Sequence, residues 1–323
     1  MSLLEPLLEV TDLQMHFPVR GGFLNRVVSR VHAVSDVSLT IQKGETLGVV
    51  GESGCGKSTL GKCLVRLYEP TGGKVVFDGQ EITGRSHREL MPFRRRAQII
   101  FQDPYSSLNP RLTVRALLRE VVRFHKVVPA AQVDDYITEL IVKVGLRPDS
   151  ADKFPHEFSG GQRQRIGIAR VLAVKPEFIV ADEPVSALDV SVQAQVLNLM
   201  MDLKDEFGLT LLFISHDLKV IEHFCDRVVV MYLGHVVEQL SCEDLHNQAK
   251  HPYTRALLGA NPINDPNERR PLAVLEGDVP SPYDPPPGCP FAGRCAHVED
   301  RCHVAMPPLE QRGDGHEIAC YAV

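Results

Sequence analysis

Apolar residues recur along this chain in two rhythms, one of strands and one of helices. From Leu7 to Phe17, and again from Val31 to Ile41, they alternate or cluster over strand-length runs, the signature of half-buried strands. Pro18-Val19-Arg20-Gly21-Gly22 and a basic stretch through Arg30 separate the two runs, which predicts a β-rich start with a long intervening loop. Thr46 to Val50 reads as a short buried strand, and Thr59 to Tyr68 carries helix formers and no proline. Pro70-Thr71-Gly72-Gly73 and Asp78-Gly79 then bracket a strand at Lys74 to Phe77, and Gln98 to Phe101 is a further strand ending at Gln102.

From Thr113 to about Gly145 the spacing turns helical, with Val114, Leu117, Leu118, Val121 and Val122 and later Ile137, Leu140, Ile141 and Val144 on recurring faces. An all-helical insertion is predicted there. Its end falls at Phe158-Ser159-Gly160-Gly161-Gln162-Arg163-Gln164-Arg165, where small residues open a helix through Arg170. Phe178 to Glu183 is a buried strand closing in two carboxylates, Ser186 to Asp189 leads into an amphipathic helix to about Phe207, and Leu209 to Ser215 is a strand closed by His216-Asp217. Strands alternating with helices predict a parallel α/β sheet with ligand groups at the carboxyl ends of its strands.

One stretch between strand and helix carries specific chemistry. Gly51-Glu52-Ser53-Gly54-Cys55-Gly56-Lys57-Ser58 has the spacing of a P-loop, in which glycines let backbone N–H groups wrap phosphates. Lys57 would reach the β- and γ-phosphates of a nucleoside triphosphate and the Ser58 hydroxyl would ligate Mg²⁺; Ser53, Gly54, Cys55, Gly56 and Thr59 complete the cradle. Two carboxylates at the end of a dry strand, Asp182 and Glu183, suit Mg²⁺ and a water. Phe17 either stacks on the adenine ring or packs in the sheet. Ser159 and Gly161 open a second anion-binding helix start, and two phosphate sites on one chain suggest that two chains work together.

Composition narrows the class. With 323 residues, 44% hydrophobic and 24% charged, the chain is expected to fold as one large domain or two. A net charge of −6 without a basic block gives no support for nucleic-acid binding. Arg20, Arg26 and Arg30 lack an intervening acid, which suits a solvated loop or a partner contact. No run approaches the ~18 apolar residues of a spanning helix, and the first ten residues do not read as a secretory signal, so a cytoplasmic chain with indirect membrane contact is expected.

Taken in order and spacing, Gly51–Ser58, Gln102, Ser159-Gly160-Gly161-Gln162, Asp182-Glu183, Asp189 and His216 resemble the ATP-binding subunit of ABC transporters over residues 7 to about 260. The Ser-Gly-Gly-Gln stretch discriminates, since generic P-loop proteins lack it. The resemblance implies a P-loop NTPase fold with an N-terminal antiparallel β subdomain, a helical subdomain at about 104–172 and a Pro/Cys-rich C-terminal extension. It implies Mg²⁺ at Ser58, Gln102 and Asp182, Glu183 as the base polarising the attacking water, and His216 as a switch at the γ-phosphate. Ser159, Gly161 and Gln162 are implied to meet the ATP of an opposite subunit, and Asp189 to belong to the nucleotide site.

Beyond about Ala260 the character changes: 11 of 23 prolines fall in the last 62 residues, so regular structure there must be short. His251-Pro252-Tyr253-Thr254-Arg255-Ala256-Leu257-Leu258 and the following tail, with Asn109-Pro110-Arg111 and Pro285-Pro286-Pro287-Gly288-Cys289, resemble the ATPases of oligopeptide and dipeptide importers, and most of all the second ATPase subunit. That resemblance implies a homologous ATPase partner, two transmembrane permease subunits, an indirect link to a periplasmic peptide-binding protein, and peripheral attachment to the cytoplasmic face of the inner membrane. Importers of nickel or opines share parts of the tail, and a soluble ABC switch or an Fe–S redox protein are rival classes. Residues 1–260 are read as the nucleotide-binding domain and 261–323 as the extension.

Cys289, Cys295, Cys302 and Cys320 sit in that tail. Four thiolates can close a zinc site or hold an Fe–S cluster, or remain reduced and free. The family resemblance implies a [4Fe–4S] cluster ahead of zinc, and with almost no core expected in the tail, metal binding would be its chief source of order. Cys55, Cys63, Cys225 and Cys242 read as packing residues.

Overall fold

Both opening runs become strands, and they are longer than the pattern predicts. In the computed structural model, which describes residues 6–21, 25–260, 277–283, 285 and 287–323, β1 (Pro6–Gly21) and β2 (Arg26–Gln42) pair antiparallel from Pro6 opposite Gln42 to Gly21 opposite Arg26. Leu8, Val10, Leu13, Val34, Val37, Leu39 and Ile41 are buried along the lower part of this ribbon. Over its described residues the predicted long loop is instead paired backbone, with Pro18 opposite Arg30; residues 22–24 lie outside the described residues. Its residues looked like a loop because the far end of the hairpin has no core to face: Val27 and Val28 are 50% and 64% exposed, so no alternation marks it.

Two groups of elements make up the chain, one from the described residues within 1–42, 46–84 and 215–323, the other from 43–45 and 85–214. In the first, β3 (Thr46–Val50) is buried at every residue and runs into the glycine loop and α1 (Lys57–Leu64). β4 (Gly72–Phe77) pairs with β1, and β5 (Gln80–Glu81) with β4, giving an antiparallel sheet in the order β2-β1-β4-β5.

The second group contains α2 (Met91–Arg96), β6 (Ala97–Ile100), α3 (Pro104–Ser107), α4 (Val114–Phe124), α5 (Val133–Lys143), α6 (Gly160–Leu172), β7 (Phe178–Asp182), α7 (Val190–Phe207) and β8 (Thr210–Ile214). β6, β7 and β8 are parallel, with Ile100 beside Ala181 and Asp182 beside Ile214. Val114, Leu117, Leu118 and Val122 of α4 are buried with Ile137, Leu140 and Ile141 of α5, the i, i+3, i+4 faces that the spacing predicted. Thr113 starts α4 by accepting from the Ala116 N–H at 3.3 Å.

Returning to the first group, α8 (Leu218–Phe224) is followed by β9 (Arg227–Tyr232), parallel to β3, and β10 (His235–Ser241), antiparallel to β9. Then come α9 (Leu245–Gln248), α10 (Pro252–Ala260), β11 (Glu310–Gly313) and β12 (His316–Ile318). β12 pairs with β10, placing Ile318 opposite Glu238, and β11 with β12. Among the described residues the extension's regular structure is short, as its prolines predicted, but it is not short of core. Phe291, Ile318 and Ala319 are at most 2% exposed, and the Phe291 ring lies 5.2 Å from that of Tyr232 and 5.5 Å from that of Tyr253. The expectation that metal would be the chief source of order there is corrected by this packing. It escaped the pattern because the apolar contacts come singly, spaced by turns.

Candidate active site

The glycine loop closes on itself at the carboxyl end of β3. Gly51 and Gly56 take φ of 152° and 105°, and a Cβ on them would lie 2.2 Å from the Met231 carbonyl oxygen and 2.0 Å from that of Ala33, so no other residue fits either position. The turn between β9 and β10 straps the loop down: the Gly234 N–H donates to the Cys55 carbonyl at 2.9 Å, and the Ser35 N–H to the Gly234 carbonyl at 2.9 Å. Lys57 is 5% exposed, and its Nζ donates to the carbonyls of Gly51 at 2.7 Å and Glu52 at 3.0 Å. An ammonium parked on loop carbonyls at the start of a helix without a side-chain cap is a cradle that a polyphosphate fits.

The other predicted loop residues follow the cradle's shape. Ser53 and Gly54 are exposed at its tip, Ser58 and Thr59 half-buried on the first turn of α1, and Cys55 is buried, which pushes its thiol pKa up despite the neighbouring Lys57. Cys63, Cys225 and Cys242 are likewise buried, as expected of packing residues. His216 stands exposed just after Ser215, whose N–H donates to the Val49 carbonyl at 3.2 Å and whose Oγ accepts from the Asp217 N–H at 3.0 Å. His216 therefore leaves the chain beside the end of β3. Phe17 is half-buried in β1, with its ring edge-on to Tyr68 at 5.5 Å.

In the second group, Asp182 ends β7 at 4% exposure, and the chain then turns sharply at Glu183, whose φ is 46°. A left-handed backbone at a non-glycine residue costs about 1–3 kcal/mol. Here the Glu183 N–H is tied to the Ile214 carbonyl at 3.1 Å and the Ser186 hydroxyl donates to the Glu183 carbonyl at 3.1 Å. Gln102, two residues past β6, donates from Nε2 to Glu183 Oε2 at 2.9 Å. Adjacent parallel strands thus bring an amide and a carboxylate together at their carboxyl ends.

Ser159 and Gln162 form a reciprocal cap at the start of α6. The Gln162 N–H donates to Ser159 Oγ at 3.4 Å, and the Ser159 N–H to Gln162 Oε1 at 3.1 Å. Ser159 and Gln162 are exposed and Gly161 buried. Asp189 is exposed at the start of α7 without a side-chain cap, leaving its carboxylate facing outward from the helix start.

All four tail cysteines are free. Burial pushes Cys289 up to about 11, and the charges of Cys302, Cys320 and Cys295 push the same way, so the sulfurs lie within electrostatic reach of one another. Even so, among the described residues no three or more His, Cys, Asp or Glu side chains are disposed to hold a metal ion. The expected metal site is not pre-formed, and the donors as placed do not fit a cluster. Sequence reasoning also missed three residues around the glycine loop: Glu52, Tyr253 and Arg294. The Glu52 N–H donates to Tyr253 Oη at 2.8 Å, and Arg294 grips the Glu52 carboxylate. Their separation in the chain leaves no local signal to find them by.

A P-loop after a β-strand and an antiparallel sheet in the first group, with an amide–carboxylate pair at parallel strand ends in the second, define an ABC-type ATPase. A subunit of the cbiONQ ABC transporter complex of Clostridium perfringens superposes with a TM-score of 0.64 over 75% of this chain and 91% of its own, at 26% identity. An ATP-binding cassette solved as a dimer with ADP and Pi matches equally, over 73% and 98%, at 27% identity. The ABC transporter family profile matches residues 34–186, and that of the oligopeptide/dipeptide transporter C-terminal region residues 237–302. The chain belongs to the ATP-binding proteins of the ABC transporter family. It is 52% identical to a probable peptide ABC transporter ATP-binding protein of Sinorhizobium fredii, over 98% of this chain and 90% of that one. It is 48% identical to the oligopeptide transport ATP-binding protein AppF of Bacillus subtilis, over 98% and 97%. Among the described residues no helix is long and apolar enough to cross a membrane.

Proposed function

We propose that this chain is the ATP-binding and ATP-hydrolysing subunit that energises import of di- or oligopeptides across the inner membrane. The observation that carries the peptide reading is the match of residues 237–302 to the oligopeptide/dipeptide transporter C-terminal region. In this reading residues 1–260 form the ATPase cassette and 261–323 its extension. The cassette pairs with a homologous ATPase at the cytoplasmic face, docks on two transmembrane permease subunits, and meets a periplasmic peptide-binding protein only through them.

Phosphoryl transfer is accelerated mainly by positioning and charge neutralisation. Lys57 Nζ exchanges its loop carbonyls for phosphate oxygens, and the exposed His216 donates at the γ-phosphate. Mg²⁺, when bound through Ser58, Gln102 and Asp182, would offset the phosphates' charge. The Glu183 carboxylate, aligned by the Gln102 amide, accepts a proton from the attacking water. Phe17 is assigned to the adenine. The Ser159-to-Gln162 helix start, with Ser159 and Gln162 exposed, is assigned to the ATP of the opposite ATPase, so that ATP favours the closed dimer and hydrolysis releases it; Asp189 is assigned to the nucleotide site. For the tail we keep [4Fe–4S], with zinc second, as the group its cysteines would take. The sequence resemblance and the mutual reach of the sulfurs support this; their arrangement does not, and no reaction step is routed through a cluster.

Two measurements test the proposal. Glu183→Gln should leave MgATP binding intact while turnover falls about 10²–10⁴-fold, the usual contribution of a general base; unchanged turnover in the assembled transporter would remove Glu183 from that role. Anaerobic pull-down from native membranes should recover a second ATPase and two permeases, with iron and sulfide bound. Recovery of the chain without membrane partners would overturn the transporter reading.

A further inference from the structure

The second residue of the glycine loop is an acid, which is an awkward charge to place beside polyphosphate. Glu52 is held at both its backbone and its side chain. Its N–H donates to Tyr253 Oη at 2.8 Å. Its carboxylate receives both arms of the Arg294 guanidinium, at 2.8 Å from Nη1 to Oε2 and 3.2 Å from Nη2 to Oε1. The Arg294 side chain is only 6% exposed, against 26% for Glu52. Tyr232 finishes the clamp: its hydroxyl lies 3.3 Å from Nη1, and the guanidinium stands 5.9 Å above its ring.

Arg294 comes from the C-terminal extension. It sits on a short turn at Ala292–Arg294, anchored by buried Phe291 on one side and by a hydrogen bond from the Cys295 N–H to the Ala292 carbonyl on the other. A planar fork matched to a carboxylate fixes orientation as well as charge. The anion would otherwise act on bound phosphates through a partly desolvated path, where charges are felt more strongly than in water.

We propose that Arg294 is a positioning residue for ATP binding: through Glu52 it sets the shape and neutralises the charge of the phosphate loop, making the extension a working part of the ATP site. This rests on the reading of residues 51–58 as an ATP-binding loop.

The test is MgATP affinity of the full chain, measured by calorimetry, beside nucleotide-free thermal melting and the KM and kcat of the assembled transporter. Arg294→Ala should weaken binding and raise KM by about ten-fold, with a smaller change in kcat, as one uncompensated charge near the phosphates requires. Arg294→Lys should recover part of the loss, since it restores charge without the fork. Glu52→Gln combined with Arg294→Ala should bind more tightly than Arg294→Ala alone, because the repelling charge is gone. That recovery separates an electrostatic role from mere folding support. Wild-type affinity in Arg294→Ala, or a lower melting temperature with unchanged KM, overturns the inference, as does a double variant no tighter than the single one. If Arg294→Ala does not fold, Arg294→Lys decides: weaker MgATP binding with a raised KM supports the inference, and affinity and KM equal to wild type overturn it. A wild-type chain that binds no MgATP would instead overturn the ATPase reading on which the inference stands.

Discussion

Residues 51–56 take their shape from glycines within the loop, from the Gly234 N–H on the Cys55 carbonyl and from Tyr253 and Arg294 at Glu52, whereas residues 287–323 are held by side chains from far earlier in the chain and by the pairing of β12 with β10. Phe291 packs on Tyr232 and Tyr253, Arg294 grips Glu52, and His316 lies 2.9 Å from Glu238. The cysteines follow this division only in part: Cys55, Cys63, Cys225 and Cys242 are buried among strands and helices, while in the tail Cys302 is buried and Cys289, Cys295 and Cys320 are half-buried. One region is written as a contiguous motif and the other as scattered anchors, so they should fail differently when single residues are changed.

The largest effect should come from the loop. Lys57→Ala should abolish productive phosphate binding, with turnover down about 10²–10³-fold as expected of a lost transition-state charge contact, and melting close to wild type; retained hydrolysis would separate the loop from the chemistry. The extension should answer in stability. Phe291→Ala should cost about 3–5 kcal/mol in urea unfolding and expose residues after 287 to protease, and a change under 1 kcal/mol would mean that the tail is held elsewhere.

Acid should find the joint between the two regions. His251 is 1% exposed, accepts from the Tyr253 N–H at 3.1 Å, and has its pKa lowered to about 4 by burial, against a smaller opposing pull from Glu238. The unfolded chain binds this proton near 6.5 and the folded chain only near 4. Stability is therefore intact above pH 6.5 and is lost as pH falls, by about 3 kcal/mol once below 4; His251→Gln should flatten that part of the curve. The smallest effect is chemical. In the metal-free chain at pH 8, iodoacetamide should modify half-buried Cys320 before Cys63, whose thiol burial pushes up to about 12. The reverse order would place the tail sulfurs in deeper cover than their exposure indicates.

Legibility in the sequence followed the same line. β3, β7 and β8 could be read because each is a short run buried at every residue, the faces of α4 and α5 because they bury a periodic set of apolar residues, and Gly51–Ser58 because a phosphate cradle tolerates few residue types. The outer half of the β1–β2 hairpin could not, since Pro18, Val28 and Arg30 meet no core. Gln102 could be placed at a strand end, but its bond to Glu183 depends on β6 lying beside β7, a non-local fact. Arg294 gives no signal, and Tyr253 stands out only as part of the stretch at 251–258; their place beside Glu52 appears only when the fold carries them there.

The pairing of β12 with β10 has a consequence for how the chain behaves in company. Cut at residue 260, the chain would leave β10 as a bare sheet edge with its row of N–H and C=O groups seeking another strand. The extension spends β12 on that row and ends the sheet with β11, whose exposed Glu310-Gln311-Arg312-Gly313 is four residues of charge, amide and glycine and offers a poor template for further strands. It is a cover against self-association, and a truncated cassette should aggregate where the full chain stays dispersed.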